Sequence, residues 1–239
     1  MMLVEGKRVV LTATVFAASL ASRSLTAQNR PVVIAILPFD DRGSFGQEKE
    51  IFRALRLGIP ATIAGELSNH SQLRLADAAK VKQALRTLQS KSEPSSRLDA
   101  TTAARAGREV GARYAITGSF ADFYGKVRLE ARVIDVESGQ IRSVVANTDP
   151  TLQDRADLYR IVQQVGHKLL AQASPERGAT VEDGEGRVIP TDALTQFSLG
   201  LLAESQGDST KAARHYIQAL STLPDYREAR EGLRRVGRS

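Results

Sequence analysis

Around Tyr114 the spacing of apolar residues changes from a helical period to a period of two, and the clearest stretch of the chain is built on that change. Before it, Asp99 is placed to cap a helix whose Ala103, Ala104, Ala106 and Val110 form a small apolar face. Gly111 suits the left-handed position that ends such a helix. After it, Tyr114, Ile116 and Phe120 share one strand face, with Gly118 between them where another group approaches closely. Tyr124-Gly125-Lys126 reads as a turn. Val127 to Val133 then alternates apolar and charged residues, Ser138-Gly139 makes a second turn, and Ile141 to Val145 a third strand. A helix leading into a three-stranded antiparallel meander is expected.

The flanking segments extend this pattern. Pro31 to Leu37 is almost continuously apolar, as expected of a strand covered on both faces. Pro38 is expected to end it, leaving Phe39 to Gly43 as a loop. Weak helical spacing runs from Glu48 to Leu57, and Pro60 is expected in the first turn of a second helix burying Ile59, Ile63 and Leu67. Leu73-Arg74-Leu75 is a short strand. Asp77 caps a helix burying Val81, Leu85 and Leu88, and Ser90 to Ser96 is a polar surface loop. After Asp149-Pro150, a helix from Leu152 to Ala171 buries Leu158, Ile161 or Val162, Val165 and Leu169. The order predicts an α/β fold, a three-layer domain over 28–172 whose mixed five-stranded sheet is flanked by helices. Residues 173–190, rich in Gly, Pro and charge, read as a linker.

Composition narrows the class of protein. Residues 1–27 run from Lys7 and Arg8 through an apolar stretch to small residues ending at Ala27, the order of a secretory signal. The apolar stretch is shorter than the roughly 20 residues that span a bilayer, so export to the periplasm or medium is expected, without stable membrane insertion. The chain has no cysteine, which excludes disulfides and a cysteine-borne lipid anchor from the expected picture. Three cations against one glutamate in the leader account for +2 of the net charge of +6. The remaining basic residues alternate with acidic ones and form no aromatic-rich stripe, so nucleic-acid binding is not expected.

With these residues laid out, the stretch Val33-Ile34-Ala35-Ile36-Leu37-Pro38-Phe39 resembles the opening strand of the TolB amino-terminal-like and curli-assembly CsgG-like families. The segment from Gly58 to Leu67 with Leu73-Arg74-Leu75 is similar to their following helix and strand. Ala103 to Ser119 and Leu129 to Gly139 are similar to their later motifs. These motifs are structural, so the resemblance implies a fold rather than an activity. Residues 191–239 resemble a single tetratricopeptide repeat with a capping helix. Leu199, Gly200, Gly207, Ala212, Tyr216, Ala219 and Pro224 occupy the signature positions, whereas Gln196 stands where the early aromatic is usual. One repeat does not make a stable solenoid, so the hairpin is expected to lean on the first domain or on another chain. The resemblance implies a partner-binding groove lined by Leu194, Phe197, Leu201 and Glu204.

Candidate catalytic chemistry is sparse. His70, His167 and His215 have no neighbours at metal-ligand spacing, and Asp40 and Asp41 offer only two carboxylates at a strand end. No serine sits in a nucleophile elbow and no glycine-rich loop carries a Lys-Ser/Thr pair. The expectation is a non-enzymatic protein without cofactor or metal, acting as an interaction adaptor for protein partners in the cell envelope, with self-association possible in principle. The alternatives are a soluble accessory of an outer-membrane secretion system and a small-ligand sensor using the loop at 40–47.

Overall fold

The apolar run from Pro31 to Leu37 does lie inside a sheet. In the computed structural model, which describes residues 31–89, 98–147, 153–173 and 188–238, β1 (Val32–Asp41) runs parallel to both of its neighbours, β2 (Leu73–Leu75) and β3 (Tyr114–Phe123). The meander continues from β3 into β4 (Lys126–Asp135) and β5 (Ile141–Ala146), giving the order β2-β1-β3-β4-β5 in a mixed sheet. The period-two pattern sorts the side chains. Ile34, Tyr114, Ile116, Phe120, Leu129 and Val133 go to one core, and Ala35, Leu37, Ala115 and Ile134 to another.

Helices cover both faces. Helix α1 (Lys49–Leu67) supplies Leu55, Ile59 and Ile63 to the first core, together with Leu158, Val162 and Leu169 of a later helix described below. Each such side chain contributes about 1.5–3 kcal/mol on burial. On the other face lie α2 (Ala78–Gln89), with Val81, Leu85 and Leu88, and α3 (Ala100–Glu109), with Ala103, Ala104 and Ala106. The caps are those read from the chain: Asp77 Oδ1 accepts from Lys80 N and Asp99 Oδ1 from Thr102 N. Gly111, just past α3, has φ +67°.

Three expectations are corrected. Pro38 does not end β1. The pairing of β1 with β3 slips between Ile36 and Phe39, so the proline, which has no N–H to donate, sits in a bulge and the strand resumes to Asp41. The resumed strand presents Phe39 to Gly118, the glycine expected to receive a close neighbour; a side chain there would overlap the Phe39 ring. The two short helices are one, because α1 runs through Pro60 without a break. The helix expected from Leu152 begins later. A two-residue strand β6 (Gln153–Asp154) pairs with β4, a single 3₁₀ turn (Arg155–Asp157) follows, and α4 spans Leu158–Ala173. The expected leader at 1–27, the expected loop at Ser90–Ser96, Asp149-Pro150 and positions 174–187 of the expected linker lie outside the described residues.

Of the C-terminal helices, α5 (Thr191–Ser205) packs on α1, while α6 (Ser209–Thr222) and α7 (Arg227–Val236) pack on α5 and on each other. Gly58 lets the α1 backbone touch α5: a Cβ there would overlap Ser198 Oγ, whose hydroxyl donates to Leu194 O instead. Seven residues on, and so on the same side of the helix, Gly65 meets the Glu228 side chain of α7. Polar contacts rim the junction, with Lys211 Nζ 2.8 Å from Glu50 and Arg227 donating to Ser68 and Asn69. Arg230, Glu231 and Arg234 leave α7 with a charged outer face over buried Ala229 and Val236.

Candidate docking surface

The two-residue turn between β3 and β4 pairs Phe123 with Lys126 across it, and both turn residues have positive φ, Tyr124 at +53° and Gly125 at +87°. Glycine adopts that conformation freely, but an L-residue with a side chain is held there at a cost of about 1–2 kcal/mol. The Tyr124 ring nonetheless stands 83% exposed. Phe45, 55% exposed, stacks 5.7 Å from Phe123 and 6.5 Å from Tyr124, centroid to centroid. Three aromatic rings thus meet at one surface end of the sheet.

The segment that carries Phe45 is fastened to this turn by the backbone. After β1, Arg42 N donates to Phe120 O, and Phe45 N donates to Asp122 O at 2.7 Å, forming an isolated parallel bridge to Phe123. Asp41 Oδ1 accepts from both Ser44 N and Ser44 Oγ, and Ser44 Oγ accepts from Asp122 N at 3.0 Å. Each of these bonds removes freedom from the loop before any partner arrives, which lowers the entropy a partner must overcome.

Beneath the rings lies an ionic lock. Asp122 is 1% exposed; its carboxylate accepts from Gly125 N at 2.7 Å and from Arg155 Nη1 at 3.0 Å. Arg155 also reaches Glu48 at the start of α1 at 2.6 Å, and its backbone N–H donates to Gly125 O. Burial opposes the Arg155 charge, but the hydrogen bond to Glu48 and the field of Asp122 outweigh it and raise its pKa above the ordinary arginine value. A shallow cavity of about 420 Å³ lies alongside, lined by Gly125, Asp154, Arg155, Thr191 and Asp192 among others.

The sequence-predicted groove residues are placed differently. Leu194 and Phe197 are 0% and 2% exposed, inside the core shared with α1, so their side chains present no surface to a second chain. Leu201 is half-buried against the same core. Glu204 accepts from Tyr216 Oη at 2.5 Å and from Arg235 Nε and Nη2, each at 3.0 Å. Burial would raise the Glu204 pKa, yet the bonds from Arg235 and Tyr216 hold it below the usual glutamate value. Burial and Glu204 together push Tyr216 upward. The structure therefore brings Leu194 and Phe197 together with α1, and Glu204 into a bond between α5, α6 and α7.

The loop at 40–47 resolves into two parts. Asp40 and Asp41 are strand residues, and Asp40 pairs with Arg56 at 3.4 Å. The remainder carries Phe45. His215 Nδ1 lies 2.8 Å from Gln196 Oε1, and no group of three metal-ligating side chains occurs among the described residues. Sequence reading missed the aromatic tip, because Phe45 and Phe123 are far apart in the chain; the signal on offer was an aromatic where a tight hairpin turn usually has Asn or Asp before Gly.

No protein-family model matches the chain, and no curated protein matches it. Solved structures do. The LpoB C-terminal domain from Salmonella enterica is 20% identical, with 53% of this chain and 90% of that one covered at a TM-score of 0.35. The NMR structure of E. coli LpoB is 15% identical over 64% of this chain and 81% of that one, at 0.38. TolB from Acinetobacter baumannii is 16% identical over 60% of this chain and 27% of its own, at 0.33.

Proposed function

We propose that this protein is a non-enzymatic adaptor of the cell envelope, exported by its leader, that docks a protein partner through the aromatic tip formed by Phe45, Phe123 and Tyr124. The observation that supports it is the tip itself. A tyrosine stands 83% exposed in a left-handed turn conformation, beside a loop fastened by backbone and side-chain hydrogen bonds. Neither the strain nor the exposure serves the fold, whereas a rigid, protruding aromatic is the residue type that anchors protein interfaces by filling a partner's pocket. The ion pair of buried Asp122 with half-buried Arg155 beneath supplies the stiffness such an anchor requires.

Site-specific photocross-linking in intact cells tests this. A benzophenone side chain at position 124 yields a discrete protein adduct, and the same group at Ile217, an exposed apolar position on α6, does not. Equal adducts from both positions, or none from 124, would contradict the proposal.

A further inference from the structure

The tip is tied to the C-terminal helices through one side chain and its backbone. Arg155 touches three separate parts of the chain, the hairpin among them twice. Its guanidinium binds Asp122 in the hairpin and Glu48 at the start of α1. Its N–H donates to Gly125 O in the turn beneath Tyr124. Its carbonyl, with that of Ala156, accepts from Thr191 Oγ1 in the first turn of α5, at 3.3 and 2.6 Å. Asp122 completes the path, because its N–H donates to the Ser44 hydroxyl and its carbonyl accepts from Phe45 N.

The bonds made by Phe45 N, the Ser44 hydroxyl and Gly125 N, which tie the loop to the turn, are thus each within two hydrogen bonds of Arg155. We propose that Arg155 is the positioning residue of the aromatic tip, and that α5 steadies the tip through it. This rests on reading the tip as the docking surface, and it gives the C-terminal helices a role in recognition that does not use their own groove. It also accounts for a charged pair at a place where apolar packing would stabilise the fold as well. A guanidinium fixes direction as well as distance, since its planar fork addresses Asp122 and Glu48 at once.

The test uses amide exchange and ring-to-ring NOEs in the full mature chain, so it needs no partner. Arg155→Gln accelerates exchange of the Gly125 amide by about tenfold relative to core amides such as Ile116, and weakens the Phe45–Tyr124 NOEs. Thr191→Val, which leaves the Arg155 side chain untouched, accelerates Gly125 by a smaller factor of about two to three. Arg155→Gln leaves a buried carboxylate unpaired, so the double variant Asp122→Asn/Arg155→Gln separates folding from positioning. It regains thermal stability while the tip NOEs stay weak. Tip exchange and NOEs like those of the unaltered protein in the double variant would overturn the proposal, as would acceleration in Arg155→Gln that is uniform across the core. Failure of the cross-link at 124 in the unaltered protein would remove the docking reading and leave this exchange result standing.

Discussion

Two aromatic triads stand among the described residues, and their surroundings are opposite. Phe197, Tyr216 and Tyr226 are buried between the C-terminal helices, with Phe197 at 5.0 Å from Tyr226 and 6.1 Å from Tyr216. Phe45, Phe123 and Tyr124 stack at similar spacings in solvent. Ring separations do not distinguish them. The surroundings do: glycines at 200 and 232 make room for the Tyr216 ring, and Glu204 with Arg235 satisfies its hydroxyl. At the tip, polar and ionic groups lie under the rings and nothing of the described chain covers Tyr124. The first triad is a stability element, and the second is the surface proposed for docking.

The contrast is sharpest in mutational cost. Tyr216→Ala empties a fully buried ring site and is expected to destabilise by about 3–5 kcal/mol in chemical denaturation. Next, Gly58→Val places a branched side chain against Ser198 at the α1–α5 contact and costs about 1–3 kcal/mol. Glu204→Gln removes the anion from a bond shared by three helices, at a cost of about 1–2 kcal/mol. Because the folded pKa of Glu204 is depressed, its contribution is present above the ordinary value of 4.5 and is lost as pH falls through the folded value. The glutamine variant therefore shows a flatter stability profile below pH 4.5 than the unaltered protein. The smallest effect has the opposite sign: Tyr124→Asn relieves the left-handed strain and raises stability by up to about 1 kcal/mol. A destabilisation comparable to that of Tyr216→Ala would show that the tip is part of the core.

Local patterns carried most of the architecture. The meander, the caps at Asp77 and Asp99 and the buried positions of α1, α2 and α4 all follow from periodicity and short-range hydrogen bonding. What escaped were consequences of distant contacts. Pro38 reads as a strand end because a missing N–H stops a ladder, yet a bulge absorbs it and Phe39 packs onto Gly118, 79 positions after it. Pro60 reads as a helix start because nothing local shows that packing against α5 and the sheet keeps α1 continuous. Leu194 and Phe197 read as groove residues because a repeat pattern cannot show that α1 lies against them. The tip was invisible for the same reason: its rings come from two segments far apart in the chain, joined by backbone and side-chain bonds that no local pattern shows.

The measurement that bears most directly on this account is a paired comparison on the variant Phe45→Ser/Tyr124→Ser. Its denaturation midpoint and its quantitative capture of the protein that cross-links at position 124 would be recorded side by side. The account predicts a midpoint within the spread expected of surface substitutions, about ±0.5 kcal/mol, together with loss of capture. Undiminished capture by this folded variant would contradict it, since the aromatic tip would then have no part in recognition.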